Sequence, residues 1–266
     1  MMRVSLRFVL AILLVVAWAA RGETVAVKYP EGTLLGFLAV RSADGKRIGT
    51  GELVQSVEGD RVKSRLVYRF VDGSIDDETA VFTQKGTFRM LSDHHVQKGP
   101  SFPQPLDVTI DMARGDVTQK SLKDGKEVVE TTHMELPEDL TNGTILTVIK
   151  NIRPTDPMIR VSYVGTTPKP RLVKLQLATG PEDSFRVGPF REKAQCFVVH
   201  IELGGVAGVI APIIGRQPGD VRVWIEEGEA PAFIREEAAF YDGGPVWTVE
   251  LTSPVWGGTQ HRRGRR

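Results

Sequence analysis

Turn signals recur at intervals of about eight to twelve residues through most of the chain, and this cadence limits the fold more than any other feature. Gly59-Asp60, Asp72-Gly73, Lys85-Gly86, Gly115-Asp116, Asp124-Gly125 and Gly243-Gly244 each separate segments that read as strands. Such spacing is that of an antiparallel meander. Between the turns the side chains alternate. Arg61 to Phe70 sets Val62, Leu66, Tyr68 and Phe70 on one face, with Lys63, Arg65 and Arg69 on the other, as in a strand with one face buried. The same pattern predicts strands near 24–29, 34–41, 48–57, 61–70, 75–83, 87–96, 106–113, 117–123, 127–134, 158–164, 171–178, 194–203, 220–226, 231–241 and 246–252. Arg114-Gly115-Asp116, an adhesion tripeptide by its letters, falls between two of these runs and reads as a hairpin turn. Strands joined by short turns are neighbours in space, so the expectation is one twisted sheet that curls to cover its apolar side.

Two segments break the period of two. Ile145, Leu146, Val148, Ile149 and Ile152 follow helical spacing, with Asp139 or Asn142 as the predicted N-cap and Pro154 as a stop. Asn142-Gly143-Thr144 also matches a glycosylation acceptor, and the cap is the preferred reading. The second segment, Gly204 to Gly215, carries Val206, Val209, Ile210, Ile213 and Ile214 at helical spacing without a charge. An uncharged apolar segment of this kind is stable only against another apolar surface. The concave side of the curled sheet is the surface expected for it.

The first residues resemble an export signal. Arg3 and Arg7 precede the apolar run Phe8 to Val16, and Ala17-Trp18-Ala19 has the small-x-small pattern of a cleavage site. Residues 1–19 are therefore expected to be a signal peptide, 20–255 a single β domain and 256–266 a basic disordered tail. Export to the periplasm or beyond is the expected location, with no transmembrane anchor once the signal is removed. The chain has 34 basic and 33 acidic residues, but Arg3, Arg7 and the four arginines of the tail lie outside the body, which is mildly acidic. That balance argues against a nucleic-acid groove, which needs clustered positive charge on the fold. With Cys196 as the only cysteine, no intramolecular disulfide can form, and Cys196-Phe197-Val198-Val199 reads as a core strand with an inert thiol.

The C-terminal third carries Val223-Trp224-Ile225, the acidic turn Glu226-Glu227-Gly228-Glu229, then Ala230-Pro231-Ala232-Phe233-Ile234-Arg235 and the closing strand Trp247 to Leu251. This ending resembles that of uncharacterised bacterial exported proteins similar to the lipoprotein-carrier superfamily. The resemblance implies a half-open antiparallel β-barrel wrapped around one or two helices and facing the periplasm, in some members holding acyl chains.

Asp93-His94-His95 is the most conspicuous polar cluster. On a strand His94 and His95 point to opposite faces, so only His95 can share a site with Asp93. A metal would need further ligands, such as His133 or Asp111, that no spacing brings in, and neither metal nor cofactor is expected. The following loop, Gln97 to Pro105, is stiffened by three prolines. His94, His95, Lys98, Ser101 and Phe102 are the expected ligand rim or partner loop. Ser101 lacks the strand-turn-helix elbow of a hydrolase nucleophile. His200, on one strand face with Cys196 and Glu202, reads as a satisfied rim histidine.

The expected fold is mainly β, a single curved antiparallel sheet forming a half-open barrel around one or two helices. The expected function is non-enzymatic binding of a lipid or other apolar molecule in a concave groove lined by Val206, Ala207, Val209, Ile210, Ile213 and Ile214. An envelope assembly factor with a protein partner and no ligand is the first alternative. A hydrolase or metal enzyme using Asp93, His94 and His95 is the second.

Overall fold

A computed structural model describes residues 23–123, 125–166, 169–187, 189–202, 218–226 and 228–252. The strands are β1 (Leu34–Arg41), β2 (Arg47–Glu58), β3 (Arg61–Phe70), β4 (Ile75–Thr83), β5 (Arg89–Lys98), β6 (Leu106–Asp111), β7 (Asp116–Lys123) and β8 (Lys126–His133), followed by a short helix α1 (Ile145–Lys150). Then come β9 (Ile159–Gly165), β10 (Arg171–Val187), β11 (Phe190–Glu202), β12 (Val221–Glu226), β13 (Ala232–Ala239) and β14 (Val246–Leu251). All fourteen lie in one antiparallel sheet. Its order runs from β8 back to β1, passes to β14, and continues back to β9. Every contact in that order but one is therefore a hairpin or a sequential connection, and the exception, β1 with β14, joins the first and last strands. The curled antiparallel sheet expected from the turn cadence, and the half-open barrel that the resemblance implies, are the architecture observed.

The turns form where the sequence placed them. Gly59 and Gly73 adopt φ of 58° and 87°, a region open to glycine at no steric cost. Arg114-Gly115-Asp116 closes the β6–β7 hairpin, where the Gly115 N–H donates to the Asp111 carbonyl at 2.9 Å. Two expectations need correction. Residues 24–29 contribute only an isolated bridge between Ala26 and Thr87, because Lys28 and Tyr29 donate their N–H groups to the Asn151 side chain at 2.8 and 2.7 Å instead of to a strand. The β10–β11 ladder runs well past 178, as a projecting hairpin. The register shift between Thr179 and Glu182 absorbs Pro181 as a bulge.

The sheet closes around α1 and the segment before it. Val148, Ile149 and Ile152 pack with Val62, Phe82, Val161, Leu177, Phe197 and Val223 from strands on both halves of the sheet. The β-branched residues of α1 are poor helix formers, and it is this burial that holds them in place. Neither Asp139 nor Asn142 caps the helix: Thr144 stands at the N-cap with no side-chain cap bond. Both residues instead seal the free edge of β9. The Ser162 N–H donates to the Asp139 carbonyl and the Thr141 N–H to the Ser162 carbonyl. The Asn142 side chain accepts from the Val164 N–H at 2.8 Å and donates to its carbonyl at 3.1 Å. An open edge would otherwise be a template for another chain. A further cluster joins Met90, Val108, Ile110 and Val117 of β5–β7 to Leu140 and Val164, and so draws the two ends of the sheet together.

Residues 1–22 and 253–266 lie outside the described residues, and the predicted signal peptide and basic tail lie there. So does the apolar segment with Val206, Ala207, Val209, Ile210, Ile213 and Ile214. Among the described residues there is one helix, α1, and none long and apolar enough to cross a membrane.

Candidate functional site

The pleat of β4 and β5 turns a run of charged residues inward. Glu78 lies opposite His95, Asp76 opposite Gln97 and Ala80 opposite Asp93. These six share the face of Phe82, which is fully buried. His95 Nε2 meets Asp76 Oδ1 at 2.8 Å, and His95 Nδ1 is 3.9 Å from Glu78 Oε1. Gln97 Nε2 donates both to Asp76 Oδ2 at 2.7 Å and to the Phe240 carbonyl at 2.9 Å, which fixes the carboxylate from behind. From across the barrel, β13 brings Glu236 opposite the core residues Val223 and Val249. Tyr163 enters from β9, beside Val161. Four carboxyls thus face one another across the interior with His95 as their cationic partner. Among the described residues no lysine or arginine pairs with any of them.

Asp93 is the extreme case. It is 3% exposed, and its Oδ1 has no hydrogen-bond partner among the described residues. Gly143, at φ 64°, passes so close that a Cβ there would lie 2.6 Å from this oxygen and 2.7 Å from the Ala80 Cβ. The turn leading into α1 is therefore seated on the acidic cluster. Yet the cluster is not dry: the side chains of Glu78 and His95 retain 27% and 21% of their accessible surface. Glu78 and His95 thus lie on the inward face of the sheet and still meet water.

The electrostatics follow from that enclosure. Burial, and then the Glu78 charge, push the Asp93 carboxyl well above its ordinary range, with His95 and the His94 backbone N–H pulling the other way. Glu78 is raised by burial as well, against the pull of His95. Burial and the charges of Glu78 and Asp76 lift Glu236 to about 7. For His95 burial is the largest influence and opposes the charged ring, but Glu78, Asp76 and Asp93 together outweigh it and raise the ring to about 9. At neutral pH the imidazole is a cation. Burial raises the Tyr163 hydroxyl too, with the carboxylates adding to it.

The predicted rim does not stay together. His94 points outward to Asp107, 3.0 Å away, while His95 points inward, the division that strand alternation requires. Ser101 donates its hydroxyl to Asp72 at 2.7 Å and its N–H to Ser74, so it braces the β3–β4 turn and is not near His95 through any bond. Lys98 is exposed at the end of β5. Phe102 is no rim residue. It is 2% exposed and packs edge-on against Phe70 at 5.5 Å, with Trp247 and Tyr241 both at 6.1 Å. The proline-stiffened loop folds this ring back as a plug for one end of the barrel. His200 is satisfied by Asp220 at 2.8 Å, and Cys196 is buried. His133 pairs with Asp116, and Asp111 accepts the N–H groups of Ala113 and Arg114. Among the described residues no three His, Cys, Asp or Glu side chains converge to hold a metal ion.

Sequence reasoning missed Asp76, Glu78 and Glu236. The signal was in the phase: Asp76, Glu78, Ala80 and Phe82 alternate, so the acidic pair shares the side of two core residues.

No protein-family model matches the chain, and neither does any curated protein. Among solved structures the chain is similar to the crystal structure of a beta-barrel-like protein of domain of unknown function DUF1849 from Brucella abortus. The two are 11% identical, the match covers 85% of this chain and 100% of that one, and the TM-score is 0.43.

Proposed function

We propose that this is an exported, non-enzymatic envelope protein that holds a small, partly apolar molecule inside its barrel. The observation that carries this reading is the partly water-accessible lining around Glu78 and His95, deep within a sheet that is closed by apolar clusters elsewhere. Half-buried Leu66, Tyr163 and Phe233 supply apolar wall beside the charged groups. Pockets of this composition, apolar with a few placed polar groups, are the usual form of small-molecule sites. An apolar wall is also what an acyl chain would need, in keeping with the resemblance to lipoprotein carriers.

One fact weighs against joint catalysis by the histidine pair: His94 and His95 occupy opposite faces, each held by its own aspartate. Native mass spectrometry of the full chain purified from the cell envelope tests the binding reading. A bound small molecule, released on denaturation, is the expected result, and its displacement by a fluorescent fatty-acid analogue would mark it as acyl. Protein free of any adduct, and unable to take up probes, would leave the assembly-factor reading. Export is tested separately by N-terminal sequencing, which should begin close to Ala20.

A further inference from the structure

We propose that the inward carboxyls Asp76, Glu78, Asp93 and Glu236 recognise an aliphatic polyamine, an assignment of ligand class that rests on the interior being a binding compartment. When ionised, four acids around one histidine carry more negative charge than the described protein groups neutralise. Enclosing ionised carboxylates without partners is costly, and a bound cation removes that cost. Asp93 adds an independent sign. Its side chain is almost wholly buried on the inward face shared with Glu78 and His95, and its Oδ1 has no hydrogen-bond partner among the described residues. An ammonium N–H is the donor such an oxygen lacks.

The arrangement also decides what sort of cation fits. Asp76 and Glu78 are two residues apart on one strand, about 6.5 Å along it, Asp93 sits on the next strand, and Glu236 approaches from the other half of the sheet. No three of the ligating side chains converge on one point, so a single metal ion is not what the arrangement suits. Separated acids match separated ammonium groups, at a spacing comparable to nitrogens linked by three or four methylenes. The methylenes in turn need apolar wall, and Leu66, Tyr163 and Phe233 provide it, with the tyrosine ring able to face a cation.

The test is isothermal titration calorimetry of the full chain with spermidine at pH 8 and physiological salt. Wild type should bind. Glu78→Gln and Glu236→Gln should each weaken binding at least tenfold, and binding should fade on acidification to pH 5 as the inner carboxyls protonate. Asp107→Asn, which alters an outward acid paired with His94, should bind as wild type does. Thermal melts verify folding, and because each inner substitution removes an enclosed charge, at least one of the two should melt no lower than wild type. If spermidine binds equally to the inner variants, it adsorbs to the acidic exterior and the proposal is wrong. If spermidine does not bind while native mass spectrometry finds another adduct, the polyamine assignment falls and the compartment stands. If neither spermidine nor any adduct is found, both readings fall.

Discussion

Glu236 offers the sharpest consequence of turning carboxyls inward. Its ordinary pKa of 4.5 rises to about 7 in the fold, through burial first and then repulsion from Glu78 and Asp76. The folded protein therefore binds this proton more tightly than the unfolded chain does, so acid favours the fold and stability is lost as pH rises from 4.5 through about 7. At 1.36 kcal/mol per pH unit the full penalty is about 3 kcal/mol, and the residual water contact of a half-buried side chain trims it to about 2 to 3. Glu236→Gln keeps the shape and removes the charge. It should equal wild type near pH 4 and exceed it by that amount at pH 8. For a domain of this size the gain corresponds to a melting temperature higher by roughly 4 to 12 °C. Urea unfolding at half-unit pH steps measures it. A variant no more stable than wild type at pH 8, or destabilised equally at all pH values, would refute the reasoning.

Other substitutions probe the neighbouring groups. His95→Gln should destabilise most at pH 6 and least above pH 9, because a ring raised to about 9 contributes stability below 6.5 and loses it as pH passes 9; urea midpoints at pH 6 and 10 give the comparison. Phe102→Ala should cost about 3 to 5 kcal/mol as a large buried ring lost from an aromatic cluster, whereas His94→Ala, which breaks an exposed pair, should change stability by less than about 0.5 kcal/mol. Gly143→Ala should destabilise strongly by calorimetry, because positive φ and contact with Asp93 and Ala80 combine there.

The strands and turns were legible because they are local: a glycine at positive φ and a period of two announce themselves within ten residues. By the same local rule His95, and not His94, could be assigned to the side of Asp93. Glu236 was not legible, since Arg235-Glu236-Glu237 reads as a charged solvent face until β13 is placed between β12 and β14 and the curl puts one of the three inside. Phe102 misled for a related reason. Its prolines correctly indicated a stiff loop, but the aromatic rings that draw it inward come from Phe70, Tyr241 and Trp247, far off in sequence. Asp139 and Asn142 carried the letters of a helix cap and were recruited by the free edge of β9, a competition that no spacing records.

Adjacent residues on β4 provide the most direct test of the inward acidic face. Asp77 points out to Arg65, whose guanidinium hydrogen bonds hold its carboxyl below the usual range despite partial burial, while Glu78 points in and is raised by burial. A pH titration followed by the side-chain carboxyl carbon resonances should therefore show Asp77 titrating below 3.8, Glu78 above 4.5 and Glu236 near 7. Midpoints for Glu78 and Glu236 at ordinary solvent values would contradict the placement of these acids inside the barrel, and with it the compartment they are held to line.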